Sequence, residues 1–297
     1  MADTILLAGA TGDLGGRIAR ALGREGAALR IVARPGTDAA RLAPLRDLGA
    51  DVREVAFEDD AGLRTACEGA ACVVSALSGL RPVIVAAQTK LAEAAVTAGV
   101  PRFIPSDFSI DFTRLPFGTN RNFDLRRIFR ERLAAMPIRA TSIFNGAFMD
   151  MLAGQMPIVV PAIRRVVYWR SDAVQMDMTT MDDTAAFTAK AALDPDTPRD
   201  LHIAGSHPDA RDLAAIMGAL RGEDWKTLRA GGLDRLGTII RVTRAVAPGG
   251  RAVFPAWQGM QYMRDMFDGR ASFGPVDNGR YPDLRWTRVE EVLARIA

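Results

Sequence analysis

Gly9-Ala10-Thr11-Gly12-Asp13-Leu14-Gly15 sets three glycines at intervals of three near the start of the chain. Glycines at that spacing let the backbone turn tightly and approach a diphosphate. A helix opening at the same point would offer free amides and the positive end of its dipole. Asp13 is an unusual neighbour for a diphosphate, because like charges repel. It is expected to point away or to cap the helix. A site for NAD usually carries an acid at the end of the second strand, to hold the ribose hydroxyls. Here Val32-Ala33-Arg34-Pro35-Gly36-Thr37 has none before Asp38. Arg34 can instead pair with a 2′-phosphate, a charge-assisted contact worth roughly 1.5–3 kcal/mol. The expected cofactor is therefore NADP(H). The alternative is that Arg34 is an ordinary surface arginine.

Groups able to move a proton are scarce. The chain has 38 Lys and Arg residues, but only Lys90, Lys190 and Lys226 are lysines. Arginine does not release its proton in proteins, so most of this positive charge is of no use for acid–base work. None of Tyr168, Tyr262 and Tyr281 has a lysine four residues later. Asp107, at a strand end, and Tyr168 remain as possible proton donors. Tyr168 lies in Val166-Val167-Tyr168-Trp169, where core packing is the alternative. His202 and His207 lack a nearby acid cluster, so no metal site is expected. Cys67 and Cys72 have neither a zinc-ligand nor a redox spacing. Ser75, Ser78 and Ser106 have no Ser-His-Asp context.

The elements that must position these residues alternate. Strand patterns at 4–8, 29–33, 51–57, 71–76, 102–105 and 138–144 are separated by helical patterns at 14–24, 39–48, 61–67, 82–98 and 120–134. Alternation of that kind implies βαβ units, and right-handed crossovers wind them into an α/β fold with a doubly wound parallel sheet. Ligands bind such sheets at the carboxyl ends of the strands. That edge carries Gly9, Arg34, Ser75 to Ser78, Ser106-Asp107 and Asn145-Gly146. Asn145, Gly146 and Phe148 are expected to wall a substrate pocket. The division expected is 1–150 for a Rossmann domain and 151–297 for a smaller α+β substrate region. A helix and a strand near 181–204 are expected to return to the main sheet. Strands are also expected at 166–169 and 174–178, with the remainder mostly helical. Met260, Met263 and Met266 read as core, with an aromatic pocket as the alternative.

Composition narrows the class. The 297 residues are 48% hydrophobic and 25% charged, with a formal charge of +3. These are globular proportions, which exclude disorder and a disulfide scaffold. Basic residues are interspersed with acids, so no nucleic-acid partner is expected. No apolar run reaches the ~20 residues of a membrane helix, and no leader pattern precedes Thr4. The expectation is a cytoplasmic protein, monomeric or homodimeric, with a small, apolar or aromatic substrate.

The chain resembles the NmrA-like and isoflavone-reductase-like branch of the atypical short-chain dehydrogenases. The resemblance runs nearly end to end. It rests on the glycine loop, Arg34, Gln88, Val100-Pro101-Arg102-Phe103-Ile104-Pro105-Ser106-Asp107-Phe108, Leu125-Arg126-Arg127 and the segment from Tyr281 to Leu293. It implies NADP(H) binding by Gly9, Thr11, Gly12, Asp13, Leu14, Gly15, Arg34, Ser75, Ala76, Leu77, Gln88, Pro105, Ser106 and Phe108. It also implies a Rossmann domain with a smaller, partly interleaved substrate domain. In the reductases of this branch a lysine stands three residues before an Ile-Arg-Arg element and serves as general acid or base. Counting back from Leu125 reaches Asn122, which can hydrogen-bond but cannot shuttle a proton at neutral pH. Asn122 is expected to line the site and orient a carbonyl or the ribose. Two functions follow from the resemblance. One is an NADPH-dependent reductase of a quinone, enone or phenylpropanoid-like acceptor, working without that lysine. The other is a non-catalytic NADP(H) sensor acting through a partner.

Overall fold

The computed structural model describes residues 2–296 and divides the chain into two compact units. The first contains the chain up to Phe108, Leu125–Ile143 and Thr184–Leu201. The second contains Ser109–Asp124, Phe144–Asp183 and the chain from His202 onward. Residues 109–124 and 144–150 thus belong to the second unit and 184–201 to the first.

In the first unit, β1 (Thr4–Ala8) leads through the glycine loop into α1 (Asp13–Arg24). The pattern continues with β2 (Ala28–Ala33), α2 (Ala39–Asp47), β3 (Asp51–Glu54), α3 (Asp60–Cys67) and β4 (Ala70–Ser75). It closes with α4 (Gln88–Thr97), β5 (Arg102–Ile104), α5 (Arg121–Ala134), which belongs to this unit from Leu125 onward, and β6 (Arg139–Ala140). The six strands are parallel in the order β3-β2-β1-β4-β5-β6. This is the doubly wound order of a Rossmann sheet, with its crevice where the order reverses between β1 and β4. Ile5, Leu6 and Leu7 are fully buried, as a central strand covered on both faces requires. Each contributes roughly 1.5–3 kcal/mol of transfer free energy. Asp38 caps α2 by accepting from the Ala40 N–H at 2.9 Å.

Two expected elements are broken. The helix expected over 82–98 begins with a π-helical turn, Pro82–Ala87, before α4. The Gln88 N–H reaches Val83 O, five residues back, while the Gln88 side chain takes Ile84 O at 2.7 Å. The strand expected over 138–144 divides at Thr141. Its front half is β6, and its back half, β7 (Ser142–Phe144), belongs to a separate two-stranded ladder with a later strand. Thr141 Oγ1 lies 2.8 Å from Thr197 Oγ1 and donates to Pro198 O at 2.9 Å, which holds the chain at the break.

The second unit holds β8 (Ala147–Phe148), β9 (Val159–Val160), β10 (Arg165–Trp169) and β11 (Met178–Thr179). Helix α6 (Met181–Leu193) follows, mostly within the first unit, and then β12 (Asp200–His202), which does not join the main sheet as expected but pairs with β7 in the two-stranded ladder. Next come α7 (Ala210–Arg221), β13 (Lys226–Gly231), α8 (Leu233–Val246), α9 (Ala256–Asp268) and α10 (Val289–Leu293). Of the strand expected over 174–178 only Met178 is in a strand, as the first residue of β11, which pairs with β8. Strand β13 lies in the region expected to be mostly helical, and pairs in parallel with β10. Its largely exposed Lys226-Thr227-Leu228-Arg229 run carries no apolar alternation to reveal it. Met266 is buried and Met263 packs on the same apolar cluster, while Met260 packs on that of Leu236, Ile240 and Trp257. The methionines are core. No described helix is long and apolar enough to cross a membrane.

Candidate functional site

The carboxyl ends of β1, β2 and β4 are in register, with Ala8 opposite both Val32 and Ser75. The residues that follow them, Gly9, Arg34 and Ala76, therefore emerge at one sheet edge. Gly9 has φ +88° and lies so close to the next strand that a Cβ would meet Ala76 O at 2.6 Å. A Cβ on Gly15 would meet Gly9 O at 2.1 Å. Both glycines are thus required by the backbone itself, and the turn delivers the chain into α1 at Gly12. Gly12 is the N-cap but supplies no side-chain acceptor, so the amides of the first turn are not capped by it. That is the cradle an anion needs. Asp13 is exposed and bridged to Arg17 at 2.8 Å, one helical turn on. It makes no side-chain cap at this N-terminus.

Arg34 is exposed, and its guanidinium makes no hydrogen bond or ion pair among the described residues. Arg41, on α2, donates to Thr11 O at 2.9 Å. A second cation is thereby attached to the glycine loop. No motif in the sequence marks it; the one available signal is its place seven residues after Arg34, within the same β2–α2 segment. The edge around β4 and β5 is tightly knit. Ala76 N–H donates to Ala8 O at 2.8 Å. Ser106 Oγ donates to Leu77 O at 2.7 Å, and Ser106 N–H donates to Gln88 Oε1 at 3.1 Å. Gln88 thus braces Ser106 from below with both ends of its amide engaged. Phe108 and Pro105 are buried. Ser75 is completely buried, and its hydroxyl has no hydrogen-bond partner among the described residues. An orphaned hydroxyl beside a glycine cradle, with two arginines and no acid on β2's end, fits a phosphorylated dinucleotide.

Asp107 is fully buried in the same unit. Ser142 Oγ donates to it at 2.7 Å. Burial pushes its carboxyl above the usual carboxylate range, against the Ser142 bond and the nearby Arg126, Arg199 and Arg130.

The second unit holds Asn122. Asn120 Oδ1 accepts from the Asn122 and Phe123 N–H groups at 3.2 and 3.3 Å, which starts α5 as an N-cap does. Asn120 is fixed in turn by Asp265 at 2.8 Å and Gln258 at 2.8 Å, both from α9. Asn122 is buried, and its Nδ2 donates to the Tyr262 hydroxyl at 3.0 Å and to Val253 O at 3.1 Å. Its Oδ1 accepts from Arg121 Nε at 3.0 Å. Tyr262 has no lysine at the short-chain dehydrogenase spacing, so sequence spacing gives no reason to place it in a site. It belongs to an aromatic cluster with Phe112, Phe123, Phe144 and Phe273.

The other expected residues are more scattered. Tyr168 lies on β10 and packs against a different cluster, that of Met149, Val166 and Met217. Asn145 is fully buried, and its Oδ1 has no partner among the described residues. Gly146 has φ +68°, and a Cβ there would meet Asp177 O at 2.0 Å. Phe148 is half-buried in β8. Each histidine does have one acid, which the sequence does not indicate: His202 with Asp111 at 3.1 Å and His207 with Asp177 at 2.6 Å. No metal-binding group of three or more occurs among the described residues. Lys90, Lys190 and Lys226 are paired with Asp60, Glu25 and Asp224. Both cysteine thiols are pushed up to about 12 by burial, so neither is a ready nucleophile.

Comparison with known proteins gives the same picture. The chain is 34% identical over 208 residues to pinoresinol reductase 1 of Arabidopsis thaliana, a match covering 65% of each protein. The aligned part thus spans less than two thirds of that relative. It is 28% identical to a bifunctional pinoresinol-lariciresinol reductase of Linum perenne over 98% of both chains. A solved structure described as AtPrR2 with NADP+ and (+)pinoresinol superposes with a TM-score of 0.85 at 25% identity, covering 100% of this chain and 99% of that one. Residues 1–229 match the model of the NmrA-like family. With its doubly wound sheet and glycine loop, the chain belongs to the NmrA-like family.

Proposed function

We propose that this chain is an NADPH-dependent reductase of a small, apolar conjugated acceptor: a quinone, an enone or a phenylpropanoid-like aromatic. The observation that carries the cofactor is the glycine cradle with Arg34 exposed beside it, Arg41 tied to Thr11, and no acid ending β2. Gly9, Gly12 and Gly15 would hold the diphosphate, and Arg34 and Arg41 the 2′-phosphate. Ser75, Ser106 and the backbone of Ala76 and Leu77 would line the same edge. NADPH supplies a hydride when bound. The matched relatives, named for the reduction of pinoresinol, support that acceptor class. Asn122 stands where the resemblance places a lysine, so any proton must come from elsewhere. Asp107, enclosed and bonded to Ser142, is assigned to holding the strand ends rather than to proton transfer.

Tryptophan fluorescence titration with NADPH and NADH tests the cofactor. NADPH should bind about ten- to a hundredfold tighter, and Arg34→Glu should abolish the difference. Equal affinities in the parent chain would refute the 2′-phosphate site. An NADPH-oxidation screen over quinones, enones and pinoresinol tests turnover. Background rates with all three classes would leave a cofactor-binding sensor instead of a reductase.

A further inference from the structure

Within the second unit, α8 and α9 pack together through Leu236, Ile240 and Trp257. The turn between them, residues 247–255, is held from several sides. Trp257 is buried, and its Nε1 donates to Pro248 O at 3.0 Å. Two guanidiniums lie over its ring, Arg121 at 4.6 Å and Arg244 at 4.8 Å. Arg121 also donates to Val253 O at 2.7 Å. Gly249 runs so close to the returning chain that a Cβ on it would collide with the Pro255 ring. Val246 and Phe254 thus stand at the two feet of one closed turn.

This turn carries a concentration of charge and of exposed apolar side chains. Between Asp234 and Asp265 there are five arginines and no acid, and because the whole chain is +3, the rest of it is net −2. Arg235, Arg241, Arg244 and Arg251 are exposed, and none of them forms an ion pair among the described residues. Residues 244–252 are exposed without a break. Val246 is 78% exposed, Phe254 63% and Val242 57%. Val242 and Val246 are one helical turn apart and share a face of α8. Apolar side chains grouped on a surface in this way mark a contact with something that covers them. The grouping also indicates what covers them. Arginine and apolar side chains are interleaved, as Arg241-Val242, Arg244-Ala245-Val246 and Arg251-Ala252-Val253-Phe254. The core of a protein interface is depleted of charge. At the boundary of an anionic bilayer, cations and apolar groups sit side by side. Arginine stems there lie along the apolar layer while the guanidiniums pair with phosphate oxygens. A two-fold contact with a second copy would set arginines against arginines.

We propose that the turn between α8 and α9 docks the chain on the anionic surface of a phospholipid bilayer. Val246 and Phe254 enter the boundary between headgroups and acyl chains, with Val242 beside them. Arg235, Arg241, Arg244 and Arg251 engage the lipid phosphates and carboxylates. No described helix is long and apolar enough to cross a membrane, so the contact is peripheral. The net −2 outside this stretch orients the molecule, since only this stretch carries an excess of positive charge to present to an anionic surface. The proposal is independent of the reductase reading.

The test sediments the full chain with phosphatidylcholine vesicles, with and without about one-third phosphatidylserine. The parent should pellet with the anionic vesicles alone. Raising the salt from about 0.1 M to about 1 M, which shortens the Debye length from about 10 to about 3 Å, should release it. Arg241→Gln/Arg251→Gln should weaken binding about 25-fold, at about fivefold for each arginine near the surface. Val246→Ser/Phe254→Ser should weaken it at least about tenfold. Leu48→Ser, at another exposed apolar side chain and in the first unit, should bind as the parent does. All the substituted side chains are exposed, and far-ultraviolet circular dichroism checks that each variant is folded. A parent that stays in solution with anionic vesicles would overturn the proposal. So would equal binding to both kinds of vesicle, or variants of the turn that bind like the parent. Self-association of the parent in sedimentation velocity, lost in Val246→Ser/Phe254→Ser and without vesicle binding, would assign the face to a second copy. Binding of soluble polyglutamate without binding of vesicles would assign it to an acidic protein. Either result would overturn the bilayer.

Discussion

Ser142 donates its hydroxyl hydrogen to the Asp107 carboxylate at 2.7 Å, at the point where the chain leaves the parallel sheet. The same oxygen accepts from Arg199 at 2.7 Å and Arg130 at 2.9 Å, and Arg130 is paired with Asp200 at 2.6 Å. One hydroxyl thus links a buried acid to two guanidiniums. The link ties β5's end to β7 and to the start of β12.

Asp107 gives this network a pH dependence of known sign. Burial raises its folded-state pKa, with the Ser142 bond and the charges of Arg126, Arg199 and Arg130 opposing that rise. A carboxyl with a raised folded pKa binds more protons in the native state than in the unfolded one. Its favourable contribution is present below the unfolded value of about 4 and is lost as pH rises through the folded value. Urea unfolding from pH 4 to pH 8 should therefore show the parent losing stability relative to Asp107→Asn as pH increases. Each tenfold difference in proton affinity between the folded and unfolded carboxyl should add about 1.4 kcal/mol to that loss. A difference that is flat or of opposite slope would contradict the assignment.

The glycine loop yields a steric prediction with an internal control. A Cβ at Gly15 would sit 2.1 Å from Gly9 O, a backbone atom with no rotamer to change. Gly15→Ala should cost at least about 1–3 kcal/mol, as overpacking does, and should weaken NADPH binding with it. At Gly23, in the last turn of the same helix, a Cβ would meet nothing within 4 Å. Gly23→Ala should be neutral or should stabilise by about 0.5–1 kcal/mol. Thermal melts of the two variants check both signs. Equal effects would mean that the close approach at Gly9 is not a constraint.

What is legible in the sequence follows from the range of the interactions. The glycine loop, the Asp38 cap and the alternation of the first sheet are local, so spacing alone locates them. The break at Thr141 is hidden because both halves of 138–144 read as strand, and only Thr197 and Pro198 decide where the chain turns. The π-helical turn before Gln88 is hidden for the same reason, since its cause is a side chain that also braces Ser106. Asn122 can be located by counting from Leu125. Its partner cannot, because Tyr262 is 140 residues away and on a helix whose methionines dominate its pattern.

Arg102 stands out in the sequence only as part of a family signature, yet it is buried and holds the end of α6. It donates to Ala191 O at 2.7 Å, to Ala192 O at 3.0 Å and to Thr197 Oγ1 at 2.7 Å. Carbonyls at a helix C-terminus lack intrahelical donors and carry the negative end of the dipole, so a guanidinium fork suits them. Arg102→Met should cost about 1–3 kcal/mol for each carbonyl left without a donor. Arg102→Lys should recover only part, since an ammonium lacks the planar fork. Urea denaturation of both variants measures this, and a loss below about 0.5 kcal/mol in Arg102→Met would show that water replaces the guanidinium.

Arg34 and Arg41 separate two ways of favouring NADPH. Arg34 is exposed and uncommitted among the described residues, whereas Arg41 already donates to Thr11 O at 2.9 Å. If Arg41 contacts the 2′-phosphate, Arg41→Ala weakens NADPH about tenfold and leaves NADH unchanged, because NADH lacks that group. If Arg41 only braces the loop, both cofactors weaken together, since both need the diphosphate cradle. The expected outcome is the first, because a neutral carbonyl is a weak partner for a guanidinium that a phosphate can engage more strongly. Arg34→Ala/Arg41→Ala should then bind the two cofactors equally. Fluorescence titrations of the single and double variants with both nucleotides give the constants needed. A double variant that still prefers NADPH would place the 2′-phosphate contact on some other residue.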